Sequence, residues 1–80
     1  MTELLVGGIY RHYKNKRYKV IGTAKHSETL EDMVIYEAQY ENSLGKTWVR
    51  PLNMFLENVK TENYMGPRFT LELAQEIRSR

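Results

Sequence analysis

The stretch Gly8-Ile9-Tyr10-Arg11-His12-Tyr13-Lys14 alternates strand-forming residues with polar ones and leads directly into a turn. Asn15 lies in that turn, and asparagine tolerates the left-handed backbone that a tight reversal needs. Residues 17–24 follow and are rich in β-branched and aromatic side chains, which favour strands. The two stretches together predict a β-hairpin at the start of the domain.

Three later segments, residues 33–40, 47–50 and 67–73, also alternate apolar and polar side chains, which predicts strands. Within residues 52–59 the apolar positions recur at helical spacing, which predicts a short helical turn. This order of elements is typical of a small, mainly β, five-stranded SH3-like barrel that is partly open. The alternative is an antiparallel sheet covered on one face by the helical segment, and the two differ in whether the first and last strands pair.

Apolar residues from five segments are expected to converge in one core. They are Val20, Tyr36, Trp48, Phe55 and Phe69. In the second strand the alternation places Tyr18, Val20 and Ala24 inside and Thr23 in water, although Ile21 breaks the pattern. We expect one domain over residues 1–80, with a tail at 74–80 that either forms a helix or extends the last strand.

The chain has 80 residues, no cysteine and a formal net charge of +2. A domain of this size buries roughly 60 % of its unfolded surface and is held by packing alone. The run Leu4-Leu5-Val6 is too short for a membrane span and lacks the preceding basic region of a signal peptide. The sequence therefore predicts a soluble cytoplasmic protein that does not bind membranes.

The charge is unevenly distributed, because residues 1–27 hold six bases and one acid whereas residues 28–80 hold six bases and nine acids. Such an excess can mark a surface that binds nucleic acid through phosphates. Lysines on a hairpin can also simply face solvent and prevent edge-to-edge pairing. If the hairpin binds nucleic acid, the expected residues are Arg11, Lys14, Lys16, Arg17 and Lys19.

Six blocks in order resemble a family of short bacterial proteins, the domain of unknown function numbered 1653. They are residues 8–14 (GIYRHYK), 24–29 (AKHSET), 34–36 (VIY), 48–51 (WVRP), 54–55 (MF) and 67–69 (PRF). The resemblance covers residues 8 to about 71. Asn15 stands where the family is expected to have a glycine, a change that the left-handed tolerance of asparagine can absorb. The resemblance implies a domain boundary but no activity.

The two histidines, His12 and His26, could form an acid/base or metal site with Glu28. Their spacing lacks the helical i, i+4 relation, so we predict neither a metal nor a cofactor. Ser27 invites a nucleophile interpretation, but no orienting group or oxyanion hole is recognisable. A small enzyme using His26, Glu28 and Arg50 is therefore only the third hypothesis, and no catalytic residue is predicted.

Arg50 lies at a predicted strand end, where its planar guanidinium can bind a carboxylate or phosphate. It can equally form an internal salt bridge to Glu28 or Glu57. Tyrosines and Trp48 supply more aromatic surface than so small a core needs, and such rings commonly line a groove for an extended ligand. The sequence thus predicts a non-catalytic module that binds a protein, a peptide or a small anionic ligand.

The predicted ligand-binding residues are His12, His26, Ser27, Glu28, Tyr36, Trp48 and Arg50. Four of them are expected in one surface site, because the fourth strand returns toward the loop that joins the second and third strands. That loop carries His26, Ser27 and Glu28, and Arg50 ends the fourth strand. Nucleic-acid binding through the first hairpin remains the alternative function.

Overall fold

A computed structural model describes residues 4–73 and shows a mainly β domain, as predicted. The predicted tail at 74–80 lies outside the described residues. No helix in the described part of the chain is long and apolar enough to cross a membrane. Seven strands and one short helix follow in the order β1 (Ile9–His12), β2 (Lys16–Lys25), β3 (Asp32–Ala38), β4 (Thr47–Pro51), α1 (Leu52–Phe55), β5 (Asn58–Lys60), β6 (Met65–Pro67) and β7 (Phe69–Leu73).

The five strands predicted from sequence form one antiparallel sheet in the order β4-β3-β2-β1-β7. The first and last strands do pair, with His12 opposite Phe69. Within the described chain β4 and β7 are not paired with each other, so the sheet does not close into a barrel. The mainly β class and the five-stranded sheet are confirmed, while the SH3-like classification stays a prediction.

The sheet is strongly curled, as a contact between its two edge strands shows. The guanidinium carbon of Arg50 on β4 lies 5.6 Å from the centre of the Phe69 ring on β7. Four strand spacings separate these edges, which would be about 19 Å in a flat sheet. The inner face is therefore concave, and side chains from opposite edges meet across it.

The segment after β4 differs from the prediction in two ways. The helix α1 spans only Leu52–Phe55, and the polar stretch from Lys60 to Gly66, expected as a loop, contributes to a second two-stranded sheet. In this small sheet Val59 pairs with Gly66. The helix stops early because the chain after Leu56 extends to make these backbone hydrogen bonds, which a pattern of apolar residues alone does not reveal.

The core forms as predicted, from aromatic and β-branched side chains on the concave face. Phe55 is fully buried, and its ring stacks on that of Phe69 with 3.9 Å between centroids. Val20 and Tyr36 are also buried, and Trp48 packs against this cluster while partly exposed. The helix α1 thus covers one end of the concave face.

A β-bulge overturns part of the pattern predicted for β2. The register with β3 shifts between Val20 and Gly22, so Gly22 pairs with Ile35 and Thr23 pairs with Val34. One extra residue reverses the faces beyond it. Thr23 therefore lies on the face of buried Val34 but is exposed, as predicted, whereas Ala24, predicted to be inside, is also exposed.

Candidate functional site

The concave face holds a groove of about 390 Å³ at the end away from α1. Five aromatic residues and one histidine form much of its lining, and four basic residues complete it. Among the described residues, no aspartate or glutamate lines it. The lining residues are His12, Tyr13, Lys14, Lys16, Tyr18, Tyr36, Tyr40, Arg50, Arg68 and Phe69. We call this the basic groove.

The first hairpin supplies one wall of the basic groove because of its three-residue turn. Asn15 adopts a left-handed backbone with φ 72°, and its N–H donates to the carbonyl of His12 at 2.7 Å. His12 pairs with Lys16 across the hairpin, so both side chains lie on the concave face. The turn predicted from Asn15 is confirmed, and it places Lys14 beside them.

His12 is a neutral hydrogen-bond donor in this site. Its Nδ1 accepts the backbone N–H of Lys14 at 3.1 Å, which leaves the proton of the neutral ring on Nε2. Burial is the main cause that lowers the pKa of His12 to about 4, and the charges of Arg50, Arg68 and Lys14 contribute to the same shift. Three cations from three parts of the chain therefore act on one imidazole.

Arg50 is anchored so that part of its guanidinium stays available. It pairs with Val34 across β3 and β4, which places it on the concave face. Its Nε donates to the hydroxyl of Tyr36 at 3.1 Å, and its planar group lies near the Phe69 ring. Arg50 makes no ion pair within 4 Å to any carboxylate of the described chain, so neither predicted bridge forms, to Glu28 or to Glu57. Its two terminal nitrogens make no hydrogen bond to the described residues.

Arg68 is a site residue that our sequence analysis did not identify. It lies between β6 and β7, and one terminal nitrogen donates to Glu57 at 2.5 Å. Its Nε is buried and has no hydrogen-bond partner within the described residues. The block Pro67-Arg68-Phe69 was visible as part of the family resemblance, but only the pairing of β1 with β7, next to which the Arg68 carbonyl accepts the Tyr13 N–H at 2.9 Å, places Arg68 beside the hairpin turn.

Tyrosine hydroxyls provide the polar surface at the other wall. Tyr18 and Tyr40 share a hydrogen bond of 2.6 Å between their hydroxyl oxygens. Burial and this hydrogen bond raise the pKa of Tyr18 well above its usual value, so it stays protonated. Lys16 Nζ lies 4.9 Å from the centre of the Tyr40 ring, a cation–π distance that orients the ammonium along this wall.

The structure separates the predicted ligand-binding residues into two groups. His12, Tyr36 and Arg50 lie together in the basic groove, whereas Trp48 does not line it and instead donates from Nε1 to the carbonyl of Gly45 at 3.2 Å. The second group lies in the exposed β2–β3 loop and contains His26, Ser27 and Glu28.

No contact within the described residues joins that loop to Arg50, so one site over both stays a prediction. His26 Nδ1 accepts the backbone N–H groups of Glu28 and Thr29 at 3.1 and 3.3 Å, which closes the loop on itself. The strand β4 does return toward the loop, as expected. However, the Arg50 side chain contacts Tyr36, which lies farther along β3 and away from the loop.

The cations proposed for nucleic-acid binding also divide between two faces. Arg11 pairs with Arg17 across the hairpin, on the face opposite His12 and Lys16. Both arginines donate from Nε to the Glu72 carboxylate at 2.7 Å. Only Lys14 and Lys16 of the five predicted residues line the groove. The hairpin therefore does not present its cations as one continuous surface.

In the described residues no group of three or more His, Asp or Glu side chains is placed to hold a metal ion. The site is instead defined by cations, tyrosine hydroxyls and a neutral imidazole on the concave face of a small, mainly β domain.

The family match covers nearly all of the described domain. Residues 8–71 match the family described as "Protein of unknown function (DUF1653)", and the chain belongs to that family.

A solved structure of the same family has a similar fold. The crystal structure of a DUF1653 protein from Bordetella bronchiseptica superposes with a TM-score of 0.74 and is 36% identical in sequence. The match covers 80% of this chain and 82% of the other. No curated protein matches the chain in sequence. The resemblance stated from the six sequence blocks is thus confirmed, and it brings no activity with it.

Proposed function

We propose that this protein is a non-catalytic binding module that takes a small anionic ligand in the basic groove. The observation that carries the proposal is the lining itself, which has four cations and no carboxylate. Arg68 alone among these cations is paired with an acid of the described chain. Cations held close together repel one another unless an anion lies between them. A bound anion therefore supplies an opposite charge to Lys14, Lys16 and Arg50, which have no acidic partner among the described residues.

The chemistry of His12 supports binding rather than catalysis. A general base needs a free ring nitrogen within reach of the proton it removes. The Nδ1 of His12 already accepts the Lys14 N–H, and its Nε2 carries the proton at neutral pH. The groove also lacks serine, threonine and carboxylate side chains. Its volume of about 390 Å³ lies at the small end for ligand pockets, which favours a small molecule over an extended peptide.

The test is NMR mapping of amide shifts during titration with succinate and with inorganic phosphate at low ionic strength. We expect shifts confined to the lining of the basic groove for at least one of these anions. Arg50→Ala should weaken that binding at least tenfold, and Arg50→Lys should restore part of it because the charge remains. Lys19→Ala, on the opposite face of β2, removes the same charge and should change affinity less than twofold.

The loss of the Arg50–Tyr36 hydrogen bond should cost about 1 kcal/mol of stability, so Arg50→Ala remains folded. Folding is checked by its spectrum and melting curve before binding is compared. If neither anion shifts the groove residues, or if Lys19→Ala reduces affinity as much as Arg50→Ala, the proposal is wrong.

A further inference from the structure

The donors of the basic groove come from separate elements and surround it rather than forming one flat edge. His12 lies on β1, Lys14 in the hairpin turn and Lys16 on β2, while Arg50 and Arg68 approach from β4 and from the segment before β7. The pairings of His12 with Lys16 and with Phe69 place it between β2 and β7. Arg50 and Arg68 both act electrostatically on the same imidazole. The cations thus enclose a common volume around His12.

The basic groove has more hydrogen-bond donors and more positive charge than one carboxylate group can pair with. A carboxylate has one charge and two oxygens in a plane, whereas a phosphate monoester carries nearly two charges and three strongly accepting oxygens. Arg50 offers two terminal nitrogens and His12 offers its Nε2–H, since their other nitrogens are engaged within the protein. Lys14 and Lys16 add ammonium groups without ion pairs to the described chain.

Resting on the proposed function, we infer that the basic groove recognises the dianionic phosphate group of a small organic phosphate monoester. The phosphate lies among Arg50, His12, Lys14 and Lys16. The rest of the molecule lies against the hydroxyls of Tyr18 and Tyr40, which suit a hydroxylated group such as a sugar. The small volume limits the ligand to about one ring beyond the phosphate.

The titration of the ligand gives a phosphate monoester a steeper pH dependence than succinate, most of whose charge is already present at pH 5.5. The second pKa of a phosphate monoester is about 6, so the dianion fraction rises about fourfold between pH 5.5 and 7.5. His12 does not contribute over this range, because its pKa is near 4 beside Arg50, Arg68, Lys14 and the surrounding aromatic rings. Any rise in affinity across this range therefore reports the ligand.

The experiment measures dissociation constants for ribose 5-phosphate, ribose, inorganic phosphate and succinate at both pH values. A phosphoserine peptide and an oligonucleotide without terminal phosphate are measured at pH 7.5. We expect ribose 5-phosphate to bind at least tenfold more tightly than succinate, with affinity about fourfold higher at pH 7.5. Ribose should not bind detectably. Lys16→Ala, which removes an exposed side chain and should not disturb folding, should weaken ribose 5-phosphate at least fivefold, and Lys19→Ala should not.

Three outcomes would overturn the inference. Succinate binding in the groove as tightly as ribose 5-phosphate, with no pH dependence, would leave the proposed function intact but remove the phosphate preference. Binding of a phosphoserine peptide, or of an oligonucleotide without terminal phosphate, in place of ribose 5-phosphate would assign the groove to a macromolecule. Absence of binding by every anion would refute the proposed function as well.

Discussion

Replacing Phe55 with alanine tests whether the short helix α1 completes the core or merely covers it. Phe55 is fully buried and contacts three aromatic rings, those of Tyr10, Tyr36 and Phe69, at centroid distances of 5.4, 5.5 and 3.9 Å. Truncating a fully buried phenylalanine costs about 3–5 kcal/mol, because the apolar atoms are lost and the rigid rings around them collapse only partly. An 80-residue domain has roughly 4–12 kcal/mol in total at the usual value per residue.

The measurement is thermal and urea unfolding followed by circular dichroism. For a domain of this size each kcal/mol lowers Tm by about 4–8 °C, so Phe55→Ala should melt at least about 12 °C below wild type. The matched control is Met54→Ala in the same helix, where the side chain is 40% exposed. That substitution should change stability by no more than about 0.5 kcal/mol. It also adds a good helix former, which separates packing from helix propensity.

A Phe55→Ala protein that melts within about 4 °C of wild type would refute this account, since the loss would then be near 1 kcal/mol. Equal losses from Phe55→Ala and Met54→Ala would refute it in another way. In that case the helix itself, and not the stacking of Phe55 on Phe69, would be responsible for the stability.

Three further predictions use the charges and the backbone. The ring of His12 should titrate near pH 4 in an NMR experiment and stay unchanged from pH 5.5 to 8, whereas a midpoint near 6.5 would place it in solvent. Hydrogen bonds from Arg17 and Arg11 hold the pKa of Glu72 below its usual value. The Glu72 carboxylate therefore makes its full contribution to the free energy of unfolding above the unfolded pKa of about 4.3. This contribution disappears as pH falls through the folded pKa. The stability gap between wild type and Glu72→Gln should accordingly shrink on acidification, and a gap independent of pH would contradict this. Leu30 has a left-handed backbone with φ 63° and an exposed side chain, so Leu30→Gly should raise stability by about 0.5–1 kcal/mol in urea unfolding, while a loss of that size would show that the leucine packs.

Part of the site follows from local sequence. The spacing within residues 8–14 and the left-handed preference of Asn15 determine the first hairpin, and strand alternation places Lys16 opposite His12 on one face. The same alternation in residues 33–40 places Val34, Tyr36 and Ala38 on one face of β3, and all three are buried. These features depend on neighbours in the chain, so a sequence pattern suffices to predict them.

Other features depend on residues that are distant in sequence. The bulge near Ile21 reversed the faces at the end of β2, and backbone pairing between Val59 and Gly66 formed a second sheet where a loop was expected. The direction of the Arg50 side chain was decided by the hydroxyl of Tyr36, although the course of its strand had been predicted. Each of these depends on a partner whose position is unknown until the sheet is assembled.

The sequence by itself determined the mainly β class, the first hairpin, the apolar residues of the core and the supply of cations and aromatic rings. Only the tertiary structure decided which of these cations share a site. The curl of the sheet brings Arg50 from the far edge toward the imidazole of His12, and the pairing of β1 with β7 places Arg68 beside it, while Glu72 engages Arg11 and Arg17 on the other face. Curvature is a property of the whole sheet, set by the twist of its strands and by the packing of Phe55 and Phe69 between them, and no local pattern encodes it.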